Sequence, residues 1–218
     1  SLGILGFSLH SVIATNRLFV VFFTLAGALN YWHKKIHFDI KLVFVLLAAR
    51  SAGAYLGANS VLAVSPSSLK LLVAGFVIAA LASIVLLERY KKAWGNIPAG
   101  KYRLAIAAIL FCVLGYYEGF VGGGGGTISR LLLMLLLGVP ILEASLADLI
   151  MSAGSGIVAS AVFISAGQVD YALLLPMVIG GTLGALLGSR IAVKKGDKWL
   201  KPLLFGIVIV LFAKLVFF

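Results

Sequence analysis

The sequence is short of acidic residues, of cysteine and of charge in general. Of its 218 residues seven are Asp or Glu, one is a cysteine and 11% are charged, whereas 62% are hydrophobic. A soluble domain carries about a quarter charged residues, so this composition excludes an ordinary soluble fold. Cys112 stands alone in an apolar run, which excludes a disulfide framework and a cysteine metal site. We therefore predict an all-α polytopic protein of the cell (plasma or inner) membrane, surrounded by the lipid bilayer.

Sequence motifs for catalysis, for metals and for nucleotides are missing as well. His10, His33 and His37 lack the spacing of metal ligands, and neither a nucleophile–base pair nor a P-loop is present. The net charge of +11 does not indicate a nucleic-acid partner, because most basic residues lie in loops between apolar segments. We therefore expect no enzyme activity, no cofactor, no metal and no nucleic acid.

Apolar segments long enough to cross a membrane alternate with short loops. Thr15, Asn16 and Arg17 are predicted to open the first helix, because the residues before them, 1–14, are too few to span. The loops rich in Lys and Arg are 33–41, 88–103 and 190–201. The predicted spans are 15–32, 38–58, 69–87, 142–164, 171–193 and 200–218, with a further apolar stretch at 104–138.

Five consecutive glycines, Gly122 to Gly126, interrupt the apolar stretch 104–138. Each glycine costs roughly 1 kcal/mol relative to Ala inside a helix, so the run predicts a broken helix that restarts at Thr127. Broken backbone within a membrane needs cover from protein or from a water-filled cavity. The restarting helix directs free N–H groups and the positive end of its dipole at the break, which predicts an anion site there. Secondary transporters build midplane sites from such discontinuous helices.

The chain contains two related halves. Residues 48–78 resemble residues 180–209 when small gaps are allowed. The aligned glycines are Gly53 with Gly184 and Gly57 with Gly188. We predict two repeats, 1–103 and 104–218, an arrangement that is typical of transporters. The Gly-rich segment leads the second repeat, so we expect a matching segment before Ser1 in the native protein.

The distribution of charge predicts how the two repeats are oriented. Lys and Arg concentrate in cytoplasmic loops, so all three basic loops belong in the cytoplasm. If the stretch 104–138 crossed the membrane once, the loop 190–201 would lie outside, whereas a hairpin that enters and returns keeps it inside. We therefore predict a re-entrant hairpin, with the glycines near the bilayer middle, and two repeats of inverted topology.

Small residues spaced four apart predict close helix packing. The three ridges of this kind are Ala49–Gly53–Gly57, Ser152–Gly156–Ser160 and Gly180–Gly184–Gly188. Packing alone accounts for most of these positions, whereas the hydroxyl groups of Ser152 and Ser155 could also line a path.

Polar residues around the break form the candidate site for a small anion. Backbone N–H groups and hydroxyl or amide side chains would donate hydrogen bonds, and arginine would supply charge. The predicted substrate-binding residues are Gly124, Gly125, Gly126, Thr127, Ser129, Arg130, Thr15, Asn16 and Arg50. For Thr15 and Asn16, capping the first helix is the alternative role.

The charged residues at membrane depth have structural alternatives too. Arg130 could pair with Glu118 across the hairpin, and Arg50 could pair with Asp148 or reach the membrane surface. Glu118 and Asp148 are also the candidate coupling residues for a proton or a sodium ion. Glu118 is the first choice, because it borders the break and its desolvation favours the protonated form.

The segment GYYEGFVGGGGGTISRLLLMLLLGVP, residues 115–140, resembles the Gly-rich signature of the TauE/SafE sulfite-exporter family. ATNRL at 14–18 resembles the segment that follows the first copy of that signature, and AGQVDY and TLGALLGSRIA are similar to further family segments. The resemblance covers essentially the whole chain. It implies a membrane permease for a small, sulfur-containing anion such as sulfite or a sulfonate, working by alternating access around a midplane site.

The alternative function is that of a non-transport membrane protein, either a binding subunit or a membrane enzyme that uses the same cavity. The chain departs from the family pattern in its unbroken run of five glycines after Glu118, and in Ala147–Asp148 where a Thr-Ser type pair is common. These departures leave open which anion is bound. The direction of transport, the coupling ion and the oligomeric state stay open as well.

Overall fold

The computed structural model describes residues 8–33, 39–89, 101–122 and 124–195. All regular secondary structure in these residues is α-helical. The helices are α1 Leu9–His33, α2 Ile40–Ala63, α3 Pro66–Arg89, α4 Lys101–Val121, α5 Gly126–Leu137, α6 Ile141–Ser165 and α7 Tyr171–Lys195. Helices α1, α2, α4, α6 and α7 are long and apolar enough to cross a membrane. The predicted all-α polytopic class is confirmed, whereas the predicted last span, 200–218, lies outside the described residues.

Polar side chains and one glycine fix where several helices begin or end. The Asp39 carboxylate accepts hydrogen bonds from the N–H groups of Lys41 and Leu42, at 2.9 and 3.2 Å, and so caps α2. Asp170 caps α7 in the same way, through two N–H groups of its first turn at 3.0 and 3.1 Å. Helix α5 ends at Leu137 and is followed by Gly138 as its C-cap, whose φ of 67° lies in the left-handed region that glycine tolerates.

Helix α1 begins earlier than the sequence predicted. The Ser8 hydroxyl accepts a hydrogen bond from Ser11 N–H at 3.1 Å, and this is the capping role that the sequence assigned to Thr15 and Asn16. No proline or glycine follows Ser8 before Thr15, so nothing interrupts the helix there. Thr15, Asn16 and Arg17 therefore lie inside a helix of 25 residues, and the predicted helix start at these residues was wrong.

The glycine run breaks the helix, as predicted. Helix α4 ends at Val121 and α5 begins at Gly126. Between them, Gly122 and Gly124 have φ angles of 93° and 91°, which residues with a Cβ rarely adopt. The absence of side chains thus lets the chain turn within a few residues.

Two apolar clusters mark opposite ends of the helix bundle. Helices α2, α4 and α6 enter the first cluster with early residues and the second cluster with late residues, so these three helices run in one direction. The early residues are Val43 and Leu46 of α2, Ala107 and Phe111 of α4, and Ala144 and Ala147 of α6. The late residues are Ala54 and Ala58 of α2, Phe120 of α4, and Ala159 and Phe163 of α6.

Helix α5 runs back beside α4. Its residues Ile128, Leu132 and Leu136 all belong to the first cluster, so α5 lies beside the early part of α4 and not beyond its end. The chain has to reverse between the two helices, because α4 and α6 run in the same direction. This arrangement is the predicted hairpin, with the glycine run at its turn.

Helices α1 and α7 run opposite to α2. Ile13, near the start of α1, lies in the second cluster, whereas Tyr31, near its end, packs with Leu146 at the start of α6. Asn30 of α1 donates a hydrogen bond to Ser189, near the end of α7, at 2.8 Å. Helix α1 thus points opposite to α6, and α2 points opposite to α7, which are the directions that the predicted inverted repeats would need. Superposition of whole repeats stays a prediction, because the last predicted span is not described.

The helix ends that flank the basic loops all lie at the first-cluster end. Helix α3 also runs towards this end, with Leu69 in the second cluster and Ala80 beside the first. Helices α1, α3 and α7 end there, and α2 and α4 begin there. We expect this end to face the cytoplasm, because Lys and Arg concentrate on the cytoplasmic side of membrane proteins.

Glycines let α2 and α4 approach until their backbones touch. The glycines on which an added Cβ would overlap the backbone of the facing helix are Gly53, Gly57, Gly115 and Gly119. Such close approach through small residues is a common way of packing membrane helices. It brings Arg50 of α2 and Glu118 of α4 side by side.

Three glycines of α7 have no such contact in the part of the chain that the structure describes. Nothing described lies within 4 Å of a Cβ built on Gly180, Gly184 or Gly188, so the tight packing predicted for this ridge stays a prediction. Gly156 on α6 does pack against Val21 of α1, as its ridge predicted. Helix α2 has α4 as its partner, whereas the described residues give α7 no equivalent of α4.

Labelling with a membrane-impermeant maleimide tests the direction of α6. In a Cys112→Ala background, Lys41→Cys and Glu143→Cys should both label from the cytoplasmic side only, because α2 and α6 begin at the same end. Ser67→Cys, at the start of α3, should label from the opposite side only and serves as the control. If Glu143→Cys labels together with Ser67→Cys, α4 and α5 cross the membrane once and the hairpin is wrong.

Gly53→Ala tests the contact between α2 and α4. The added methyl group meets the Cys112 carbonyl, and overpacking of this kind costs about 1–3 kcal/mol, so the apparent Tm in detergent should fall. Gly184→Ala is the matched control, since Gly184 aligns with Gly53 in the sequence and its added methyl group meets no described atom. Equal Tm values for the two variants would show that the close approach does not limit stability.

Candidate functional site

Five charged side chains meet near the middle of the bundle. The members are Arg17 of α1, Arg50 of α2, Glu118 of α4, Arg130 of α5 and Asp148 of α6, which we call the charge network. All except Arg130 are at most 2% exposed, and the Arg130 side chain is 27% exposed. Charged residues at membrane depth are costly and usually functional, so this network is the candidate site.

Arg50 lies at the centre of the charge network. Its Nε and Nη2 donate to the two oxygens of Glu118, at 2.9 and 2.6 Å, which makes a bidentate pair. Its Nη1 donates to Asp148 Oδ1 at 3.0 Å, the pairing that the sequence had offered as an alternative. The hydroxyl oxygens of Ser152 and Ser129 accept further hydrogen bonds at 2.7 and 3.3 Å. All three guanidinium nitrogen atoms of Arg50 thus donate hydrogen bonds.

Arg17 joins the charge network from α1, although the sequence had not included it among the site residues. Its Nη2 donates to Ser155 Oγ at 3.0 Å and to Glu118 Oε2 at 3.4 Å. Its Nε is buried and has no hydrogen-bond partner in the described part of the chain, which is uncommon for a buried donor. Arg17 was missed because it was assigned to a helix start. The residues between Ser8 and Thr15 contain no helix breaker, and this could have indicated that Arg17 lies inside the helix.

Arg130 contacts Asp148 and not Glu118, so the alternative pairing across the hairpin is not present. Its Nε donates to Asp148 Oδ2 at 3.3 Å, while Glu118 is taken by Arg50 and Arg17. Among the described residues Arg130 has no other hydrogen bond, and part of its side chain is accessible. Its two terminal amino groups are therefore the donors best placed to meet an incoming anion.

The start of α5 lies against the two acidic members of the charge network. A Cβ on Gly125 would overlap the Glu118 carboxylate, and one on Gly126 would come within 3.1 Å of Asp148 Oδ2. No side chain forms a capping hydrogen bond at the start of α5. The two carboxylates nevertheless stand near the positive end of the α5 dipole. The place that the sequence predicted for an anion is thus next to the protein's own carboxylates, and an external anion has to share it with them.

The structure brings some of the other predicted site residues to the glycine turn. Asn16 Nδ2 donates to Gly122 O at 2.7 Å, and this bond ties α1 to the turn. Gly124 is exposed beside the Tyr117 hydroxyl, and Thr127 is half-buried in the first turn of α5. Thr15 lies elsewhere, because its hydroxyl accepts a hydrogen bond from Asp170 N–H at 2.9 Å in the connection between α6 and α7.

The chemistry of the charge network suits an anion better than a metal ion. Three guanidinium groups and two carboxylates have formal charges that sum to +1, and open N–H donors remain on Arg130 and Arg17. In the described residues no group of three His, Cys, Asp or Glu side chains could hold a metal ion. Desolvation is not the only influence on the protonation of Glu118, since two guanidinium groups also contact its carboxylate.

The sequence of the chain is similar to those of a known protein family. The profile described as "Sulfite exporter TauE/SafE" matches residues 1–215. The probable membrane transporter protein ORF9 of Sinorhizobium sp is 31% identical over 205 residues, which are 93% of this chain and 77% of that protein. The probable membrane transporter protein YfcA of Escherichia coli (strain K12) is 33% identical over 116 residues, which are 53% of this chain and 43% of that protein.

A probable membrane transporter protein of Haemophilus influenzae is 32% identical over 104 residues, 48% of this chain and 41% of that protein. No solved structure matches the chain. The family profile nonetheless covers almost all of it, and five of the described helices can span a membrane. The chain is therefore a multi-pass membrane protein that belongs to the TauE/SafE sulfite exporter family.

Proposed function

We propose that this chain is a secondary transporter that carries a small oxyanion, sulfite or a sulfonate, through the middle of the bundle by alternating access. Membership of the family and the names of the relatives, which are probable membrane transporters, support membrane transport. The observation that carries the choice of an anion is the charge network, which is buried, has a formal charge of +1 and keeps donors open on Arg130.

Desolvation of the guanidinium groups favours a bound anion. A positive charge without a full set of partners is costly in a low-dielectric interior, and a bound anion offsets that cost. An oxyanion suits these donors, because its several oxygen atoms accept charge-assisted hydrogen bonds from guanidinium and backbone N–H groups at once. Thr127 and the first N–H groups of α5 stand beside Arg130 and would supply further donors.

Alternating access is supported by how the charge network is shared between the two repeats. Arg17 and Arg50 belong to the first repeat, while Glu118, Arg130 and Asp148 belong to the second. Rocking of one repeat against the other would therefore act directly on these ion pairs. The division of the chain at residue 103 remains part of this proposal.

Glu118 and Asp148 remain the candidate coupling residues for a proton or a sodium ion. Both carboxylates are engaged by two guanidinium groups each. A coupling ion would therefore bind in a conformation in which some of these pairs have separated. Under this proposal the protein acts without enzyme activity, and a binding subunit without transport is the alternative that the following experiment addresses.

Counterflow of labelled sulfite into proteoliposomes tests the proposal. The unsubstituted protein should accumulate label. Arg130→Gln should raise the half-saturation concentration for sulfite about tenfold or more, because a charge-assisted donor is lost. Arg130→Gln should still fold, since Asp148 keeps its 3.0 Å pair with Arg50. Arg190→Gln, the same change at an exposed end of α7, is the matched control and should leave counterflow unchanged.

Two outcomes would count against the proposal. Binding of sulfite without counterflow would favour a binding subunit over a transporter. An unchanged half-saturation concentration in folded Arg130→Gln would remove Arg130 from the site.

Arg50→Gln should behave differently from Arg130→Gln. It leaves Glu118 and Asp148 without their shared partner inside the bundle, and removing one partner of a buried pair costs about 3–5 kcal/mol. We therefore expect loss of the folded protein, measured as aggregation on size-exclusion chromatography in detergent. A monodisperse Arg50→Gln protein with normal Tm would show that Arg50 does not organise the charge network.

A further inference from the structure

We infer that the site selects monovalent over divalent anions and that Asp148 sets this selectivity. The inference rests on the proposed function and adds the charge class of its substrate. It starts from the formal charges of the charge network, where three guanidinium groups face two carboxylates. A single negative charge brings the occupied site to neutrality, whereas a second one leaves it negative.

The net charge of the occupied site affects binding strongly because the site is enclosed. Four of its five charged members are at most 2% exposed, so water screens the surplus charge poorly. In such surroundings an uncompensated charge is strongly disfavoured, and a paired one is tolerated. A dianion would bring this penalty with it, even where its shape and its oxygen atoms match those of a monoanion.

Asp148 is the acid that a bound anion meets first. Its Oδ2 accepts from Arg130, the accessible guanidinium, and lies beside Gly126 at the start of α5. Glu118 also borders the start of α5, beside Gly125, but both oxygens of its carboxylate are paired with Arg17 and Arg50, which are buried. An anion held by Arg130 is therefore closer to Asp148 than to Glu118 along the chain of ion pairs, and like-charge repulsion from Asp148 opposes the second negative charge.

The other groups around the site do not provide this repulsion. Tyr31 stands near Arg130 and Asp148 and beside Ser145, and Tyr117 stands beside the glycine turn, but none of these side chains is acidic at neutral pH. The remaining acids with described side chains lie at the starts of α2, α6 and α7, and they are Asp39, Glu143 and Asp170. Removal of the Asp148 charge is thus the direct test.

The experiment uses counterflow of labelled methanesulfonate, which stays a monoanion at all relevant pH values. Unlabelled sulfate, a dianion, should compete at least about tenfold less well than unlabelled methanesulfonate in the unsubstituted protein, and Asp148→Asn should reduce this gap about tenfold. The introduced asparagine is similar in shape to the aspartate, and its side-chain oxygen can still accept a hydrogen bond from Arg50. Asp39→Asn removes the same charge at the start of α2, where asparagine also caps helices, and should leave the gap unchanged.

Sulfite provides a comparison within one molecule, because its second proton dissociates near neutral pH. On the acid side of neutrality it should compete about as well as methanesulfonate, and on the alkaline side clearly less well. The self-competition of methanesulfonate at each pH corrects for any titration of the protein. This loss of competition should be smaller in Asp148→Asn.

The outcomes separate this inference from the function on which it rests. If sulfate and methanesulfonate compete equally in the unsubstituted protein, small oxyanions are transported but charge selection is wrong. If the gap is present and Asp148→Asn leaves it unchanged in a folded protein, Asp148 is not the selective residue. If no anion shows counterflow, the proposed function and the inference are both overturned.

Discussion

The bidentate ion pair between Arg50 and Glu118 is the interaction on which the rest of this structure depends. Neither side chain is tolerated alone at membrane depth, because an unpaired charge there is costly. Together they fix α2 and α4 at one height in the bundle, and Arg50 also holds Asp148 of α6 at 3.0 Å. Three parallel helices are thereby joined around the glycine turn, and the geometry of the candidate site follows from their union.

This pair depends in turn on the glycines between α2 and α4. Gly53 and Gly115 leave the two backbones in contact, so the Arg50 and Glu118 side chains start from adjacent positions and meet within hydrogen-bond distance. Larger residues would push the helices apart and lengthen the ion pair. Packing and electrostatics therefore act as a single constraint here, since the small residues provide the proximity and the ion pair makes the burial of charge acceptable.

The hairpin brings positive charge to the site. Because α5 returns beside α4, its first turn, with the positive end of its dipole, lies next to Glu118 and Asp148. The same reversal carries Arg130 back to Asp148, at 3.3 Å, and leaves its remaining donors accessible. A single crossing would instead have separated Arg130 from α6. The membership of the TauE/SafE family fits a membrane transporter.

The sequence by itself determined the membrane class, most helix positions, the break at the glycines and the hairpin, because apolar length, glycine runs and the placement of Lys and Arg are properties of the linear chain. It also identified Arg50, Glu118 and Asp148 as unusual charges. Only the tertiary structure decided which charges pair, that Arg17 is buried among them and that no described residue lies against Gly180, Gly184 or Gly188. Pairing depends on the rotation and lateral contacts of the helices, and those are set by packing between distant segments.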